Sequence, residues 1–291
     1  MKRITFNGKV NKTISMEGKI CMITGANSGI GKATALRLAE MNARIVMVCR
    51  NKERGETSQQ EIIEKTGNKN VDLLICDLSS QEQIRKLVSE FKLKYQNLHI
   101  LINNAGIVLS KRQLSVDGIE MNFAVNHFAP FLLTNLLIDI LKKSAPSRIV
   151  NVSSGVHKMT SMDFDDLHGE NKKYGAFKNY GVSKLAITLF TYELSRKLEG
   201  TGVTVNAVHP GVVRSSLGRD LPTISRGFQK TFFKSPRKGA ATSIYLATSP
   251  EVEGITGKYF VKKQPKRSSD ESYNEEYAKR LWEISAEMTN L

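Results

Sequence analysis

Seven short, nearly unbroken apolar runs recur along this chain, and longer helical patterns lie between them. The runs cover 19–24, 44–49, 71–76, 100–103, 148–152, 203–208 and 258–261, and most are rich in Val and Ile. A strand with one wet face alternates apolar and polar residues. A run that is apolar on both parities needs cover on both faces, as strands of a parallel sheet between helix layers have. The intervening patterns predict helices near 31–41, 54–65, 81–95, 118–143, 179–199 and 237–246. Strand–helix alternation of this kind predicts an α/β fold: a doubly wound parallel sheet of about seven strands, helices on both faces, crossovers right-handed by rule.

A chain of 291 residues with 40% hydrophobic residues can build one core, so a single domain is expected. Residues 1–17 read as an N-terminal extension, 18–262 as the body and 263–291 as a tail with an amphipathic helix, whose Tyr277, Leu281, Trp282 and Ile284 would pack on the body or on a second subunit. The extension has two early basic residues but no continuous apolar stretch, unlike a secretory signal. The longest apolar stretch, 128–141, is interrupted by Pro130, Thr134, Asn135 and Asp139 and is too short and polar to span a bilayer. Cys21, Cys49 and Cys76 each lie in a strand-like run, which predicts core thiols in a reducing compartment. A cytoplasmic protein is expected, with peripheral membrane contact compatible. With 43 Lys+Arg against 28 Asp+Glu the formal net charge is +15, but the basic residues are scattered and no aromatic-interleaved basic stripe marks a nucleic-acid site. His127, His157, His168 and His209 lack metal-ligand spacing, so no metal is expected.

Two segments are longer than ordinary connections. Residues 156–177 form a polar insert, and 214–236 are rich in Gly, Ser and Arg with Phe228, Phe232 and Phe233 dispersed among them. Loops of that length are often lids or binding loops.

The glycine turn TGANSGIG follows the first strand and opens the first helix. Gly25, Gly29 and Gly31 permit a tight turn and close backbone approach, and with Asn27, Ser28 and Ile30 they present a helix N-terminus that favours a pyrophosphate. At the end of the second strand, Arg50 and Asn51 stand where NAD-preferring folds place a carboxylate for the ribose. A guanidinium pairs with a 2′-phosphate, so NADP(H) is expected over NAD(H). Asp77-Leu78 closes the third strand, its carboxylate suited either to an adenine amino group or to capping the next helix. Asn103-Asn104-Ala105-Gly106 ends the fourth with small residues over which a nucleotide could lie.

Tyr180 and Lys184 are four residues apart in NYGVSK, about one helical turn, and so share a face. A phenol, with a reference pKa of about 10, is a poor acid or base at neutral pH, and a nearby cation stabilises its anion. The pair could then exchange a proton with a carbonyl oxygen.

Taken together, TGANSGIG, Asp77-Leu78, NNAG, MNFAVNHF, VNVSS, YGVSK and HPG resemble the short-chain dehydrogenase/reductase family of the classical subtype, over roughly residues 18–262. The GKATA helix start, the CRNKERGE segment, the insert before the tyrosine and the LWEIS tail are most similar to its retinol dehydrogenase-like branch. The resemblance implies a Rossmann fold and an NADP(H)-dependent oxidoreductase that interconverts an apolar aldehyde or ketone and its alcohol. It implies Tyr180 as the proton-transferring group, Lys184 as its activator and a ribose ligand, Ser154 (or Ser153) as the group that polarises the substrate oxygen, and Asn126 (or Asn122) as holder of a relay water. Pro210, Gly211 and Val213 would flank the nicotinamide, with Ser215 or Ser216 bonding its carboxamide. Family members are often homo-oligomers, which this chain could share. Ser154 and Tyr180 stand 26 residues apart, against about a dozen usual in the family, in keeping with the insert. The alternative is a non-catalytic nucleotide-sensing or scaffold protein that retains the nucleotide site. An intact Ser154, Tyr180, Lys184 and Asn126 set argues against it.

Overall fold

The computed structural model describes residues 14–171, 173–213 and 234–291. Eight strands form one sheet in the order β3-β2-β1-β4-β5-β6-β7-β8. The first seven are parallel: β1 Ile20–Thr24, β2 Arg44–Cys49, β3 Val71–Ile75, β4 Ile100–Asn103, β5 Ser147–Val152, β6 Val203–His209 and β7 Lys258–Val261. Alternate residues of one strand feed different cores, as the two-parity apolar runs require. Met22, Val46 and Val48 join the core under α3 (Gln81–Lys94), α5 (Ala129–Leu136) and α7 (Ala176–Lys197). Cys21, Ile23, Ile45 and Met47 join the other, under α1 (Gly29–Glu40), α2 (Lys52–Thr66) and α8 (Pro236–Thr248). Most of these side chains are fully buried, each worth about 1.5–3 kcal/mol relative to exposure.

The eighth strand, β8 (Gln264–Lys266), pairs antiparallel with β7 at the sheet edge and was not expected. Lys262 and Lys263 both take positive φ, 52° and 65°, the geometry of a tight hairpin turn. Glycine or asparagine normally signals such a turn, so Lys-Lys hid it. Pro265 suits an edge.

The expected helix over 118–143 is not continuous. Gly118, at φ 74°, belongs to a turn, and helix begins with α4 (Met121–Phe123). A π-helical stretch, Ala124–Phe128, then leads into α5, and a break at Leu137 precedes α6 (Ile138–Lys143). Pro130 explains the wide turn: it has no N–H for the Asn126 carbonyl four residues back, and the backbone widens locally.

The tail helix α9 (Glu275–Met288) docks on the same chain, where the Trp282 ring meets Phe131 and Phe190 at 5.0 and 5.8 Å between centroids. Among the described residues, no helix is long and apolar enough to cross a membrane. The strand order reverses direction between β1 and β4, and the crevice outside their C-terminal ends is where sheets of this kind bind ligands.

Candidate active site

The glycine turn closes over that crevice. Gly25 and Gly29 take φ of 67° and 54°, open to glycine without strain. A Cβ on Gly31 would strike the Gly25 carbonyl oxygen, and one on Gly25 would stand 3.1 Å from Ala105 Cα. Ser28 is extended at the N-cap of α1 and its side chain makes no capping hydrogen bond, so the first-turn N–H groups carry no side-chain partner. An anion fits such a helix start without displacing a cap. Across the crevice, Thr24 Oγ1 accepts from the backbone N–H groups of Asn104 and Ala105, both at 3.0 Å, and Asn104 Nδ2 donates to Thr24 O at 2.8 Å. These bonds tie the ends of β1 and β4 together beneath the turn.

Arg50 projects from the end of β2 with its side chain 74% exposed, and its Nη1 lies 4.0 Å from Asp77 Oδ2. Asp77 uses its other oxygen locally, accepting from Ser79 N–H and Oγ–H at 3.0 and 2.7 Å, while Ser80 is the residue that caps α3. Asn51 caps α2, accepting the Arg54 N–H at 2.8 Å. Leu78 packs against the core.

Lys184 and Tyr180 lie on one face of α7, with the Lys184 Nζ 5.8 Å from the phenol ring centroid. Lys184 is buried and donates to Val152 O at 2.8 Å. Burial lowers its pKa to about 8. The phenol is moved the other way. Burial raises Tyr180 to about 12, and a hydrogen bond with the Ser154 side chain pulls it partly down. This differs from the expectation that the cation would set the phenol's acidity: both groups are desolvated, and in this structure that outweighs their attraction. A phenol so held is protonated at neutral pH, the form that gives a proton to a carbonyl oxygen.

Of the two candidate serines, Ser154 is the one whose side chain acts on the Tyr180 phenol, lowering its pKa. Ser153 is buried against α7, bonding Lys184 O at 3.0 Å and Thr188 Oγ1 at 2.9 Å. The two asparagines also separate. Asn126 lies in the π-helical stretch, exchanges both amide hydrogen bonds with the Ile107 backbone at 2.9 and 3.0 Å and donates to Ser183 Oγ at 2.9 Å. A Cβ on Gly106 would stand 3.2 Å from Asn126 Oδ1 and 3.3 Å from Lys184 Nζ, so the strand end, the π turn and the lysine converge there. Asn122 instead joins Glu120 and Tyr174, at 2.8 and 2.6 Å, and ties the insert to the body. Gly211 takes φ 84°, under the Lys234 side chain, and Val213 packs near Ile30 and Gly239. Pro210 lies between His209 and Gly211, just beyond β6. Ser215, Ser216, Phe228, Phe232 and Phe233 lie outside the described residues.

Two histidines, weighed from sequence only as metal ligands, brace the Ser154 segment. His209 Nδ1 accepts the Gly155 N–H at 3.0 Å, and the His157 Nδ1 lies 2.5 Å from Ser154 O. No local pattern announces the His209 bond, since its partners, 54 residues apart, meet only through the fold.

This arrangement has known relatives. The family model for short chain dehydrogenase matches residues 19–223. The chain belongs to that family. It is 43% identical to human retinol dehydrogenase 13 over all of its own length and 90% of that protein, and 44% identical to human retinol dehydrogenase 14 over 95% and 88%. It is thus a short-chain dehydrogenase of the retinol dehydrogenase-like branch, an oxidoreductase of the alcohol/carbonyl pair with a nicotinamide cofactor. Among solved structures, an uncharacterized protein from Mycobacterium paratuberculosis aligns at TM-score 0.79, 29% identity and 95% coverage of each chain. A structure from Escherichia coli CFT073 described as a short chain dehydrogenase complexed with NADPH aligns at TM-score 0.69 and 25% identity, covering 86% of this chain and 98% of that one.

Proposed function

We propose that this short-chain dehydrogenase uses NADP(H) in preference to NAD(H) and interconverts apolar aldehydes or ketones and their alcohols, as a retinal reductase or retinol dehydrogenase would. The observation that carries the reading is the pairing of Tyr180 with buried Lys184 on one face of α7, the Nζ 5.8 Å from the ring centroid, with the Ser154 side chain near enough to lower the phenol's pKa, beside a tight glycine turn at an uncapped helix start. Gly25, Asn27, Ser28, Gly29, Ile30 and Gly31 are assigned to the pyrophosphate, Arg50 to the 2′-phosphate, Asn51, Asp77 and Leu78 to the adenosine end, Asn104, Ala105 and Gly106 to the floor, and Pro210, Gly211 and Val213 to the nicotinamide end. The bound nicotinamide supplies or accepts the hydride.

This chain's own residues handle the proton. Ser154 donates to the substrate oxygen and stabilises the charge that develops on it. Tyr180 gives its proton to that oxygen in reduction and takes one back in oxidation. Lys184, anchored on Val152 O, keeps positive charge close to the phenol and reaches the ribose. The Asn126 amide is fully engaged by Ile107 and Ser183, so its backbone carbonyl, to which Pro130 offers no N–H four residues on, is the assigned holder of the relay water. The NADP(H) assignment rests on the exposed Arg50 and is supported by the NADPH-bound relative. The apolar substrate rests on the retinol dehydrogenase relatives. Three buried free thiols fit a reducing, cytoplasmic setting.

The test is oxidation of NADPH and of NADH, followed by reduced-nicotinamide absorbance, against aliphatic aldehydes, retinal and steroid ketones. Turnover of apolar carbonyls with NADPH favoured is expected, and Arg50→Asp should lower that preference by about ten-fold, the worth of roughly one charge-assisted contact. No turnover across the panel would refute the substrate reading, and an unchanged cofactor preference in Arg50→Asp would refute the role of Arg50.

A further inference from the structure

The segment that presents Ser154 is a single 3₁₀ turn, Gly155–Met159, following β5. So short a turn holds little stability of its own. The peptide that leads into it is instead clamped by two imidazoles. His157 is fully buried, and its two nitrogens have different partners. Nε2 accepts the backbone N–H of Ser269 at 3.1 Å, and a backbone N–H can only donate. The neutral ring therefore carries its proton on Nδ1, which donates to Ser154 O at 2.5 Å. Ser269 is itself fixed. Its neighbour Ser268 bonds the buried Tyr192 hydroxyl of α7 at 2.7 Å and Ser272 at 2.6 Å. Close by, the Lys158 ammonium donates to Arg267 O at 2.6 Å. The Tyr259 ring closes the pocket edge-on at 5.0 Å.

From the other side, His209 Nδ1 accepts the Gly155 N–H at 3.0 Å, and a Cβ on Gly155 would lie 3.3 Å from His209 Nε2. The peptide unit joining Ser154 to Gly155 is therefore gripped at both its oxygen and its nitrogen. The serine whose side chain lowers the Tyr180 pKa is oriented by that peptide.

We propose, on the reading that Ser154 polarises the substrate, that His157 is a positioning residue that transmits the fold of the 264–274 segment to Ser154. It touches neither substrate nor cofactor. Its Nδ1–H fixes the Ser154 carbonyl, its Nε2 ties that bond to Ser269, and the rotamer of the Ser154 hydroxyl toward Tyr180 follows from the fixed backbone. A displacement of about an ångström at a reacting group can cost up to a hundred-fold in rate, which sets the size of the effect to look for.

The experiment is a double-mutant cycle on the full chain, with carbonyl reduction by NADPH as the activity and NADPH binding and thermal midpoint measured alongside. Ser154→Ala comes first: if it leaves kcat unchanged, the reading of Ser154 itself fails, a separate result from any failure of His157. With Ser154→Ala lowering kcat, His157→Ala in the otherwise native chain should lower kcat by about ten-fold or more, with NADPH affinity within about two-fold. In the Ser154→Ala background the same change should cost less than about two-fold, since the group it orients is gone. His157→Asn, which keeps a donor near the Nδ1 position, should recover most of the activity, and His157→Gln, whose amide sits nearer Nε2, should not. The proposal is overturned if His157→Ala costs the same factor in both backgrounds, if Asn rescues no better than Gln, or if cofactor affinity falls in step with kcat. Because Asn keeps a donor beside Ser154 O and fills the site better than Ala, that variant decides the matter even where Ala lowers the yield of folded protein.

Discussion

At Tyr180 and Lys184, burial rather than mutual attraction sets the proton affinities. The phenol stands near 12 and the ammonium near 8. A carbonyl reductase needs the phenol protonated, and this one is so across the neutral range. An alcohol dehydrogenase needs its anion, whose fraction grows with pH below the phenol's pKa. Reduction by NADPH should therefore stay level between about pH 6 and pH 9 on Tyr180's account, while oxidation by NADP+ climbs over the same interval, both read as kcat/KM. Oxidation that reaches its plateau below about pH 7 would put the phenol far lower and contradict the burial argument. The Tyr-x-x-x-Lys spacing and the glycine turn were plain in the sequence because each is a local pattern. The choice of Ser154 over Ser153 came from the resemblance and not from any local physical pattern. Neighbouring residues on an extended strand face opposite ways, and only packing against Lys184 and Thr188 shows which one is buried.

The elements divide in the same manner. Two-parity apolar runs identified seven strands because burial on both faces leaves a compositional mark that needs no partner to be seen. The Lys262-Lys263 hairpin left none, since it depends on two lysines held at positive φ, while Pro130 marked an interruption without showing that the backbone would widen into a π-helical stretch. Gly31 and Gly67 show how the same residue type serves different ends. Gly67 caps α2 at φ 71° with nothing within 4 Å of a Cβ, so Gly67→Ala should cost only the strain of that conformation, about 1 kcal/mol. Gly31→Ala drives a methyl into the Gly25 backbone and should cost about 1–3 kcal/mol by overpacking and weaken NADPH binding as well. Thermal unfolding and NADPH titration of the two variants check this. Equal loss of cofactor affinity in both would mean that the turn's fit at Gly31 is not what holds the phosphate.

For the molecule as a whole, buried histidines set the acid limit. Of five histidines, His99, His127, His157 and His209 are all held below the ordinary imidazole value, by burial first of all. His127 is the extreme case at about 3, enclosed by Phe123, Phe128, Phe131 and Phe190 and bonded to Ser285 of α9 at 2.8 Å. In the unfolded chain these rings take up protons near pH 6.5, while in the folded chain they do not. Stability is therefore complete above that value and falls as pH drops through the interval below it, for His127 alone by on the order of 4 kcal/mol once pH nears 3. Urea unfolding at about pH 7.5 and pH 5 should show this decline, and it should be shallower in His127→Asn. Equal unfolding free energies at the two pH values would contradict it. The sequence could supply the count of histidines but not their burial, which for His127 depends on a tail helix docking more than a hundred residues downstream in the chain.

The central claim is that this short-chain dehydrogenase passes a hydride from NADPH to an apolar carbonyl carbon while Tyr180 supplies the proton. The measurement that tests it most directly is reduction of retinal, or of the best aldehyde in the panel, by NADPH carrying deuterium at both nicotinamide C4 hydrogens, with the product alcohol analysed by mass spectrometry. The account predicts one deuterium on the carbinol carbon, with formation of that product lost in Tyr180→Phe. An alcohol without deuterium, or undiminished turnover in Tyr180→Phe, would contradict it.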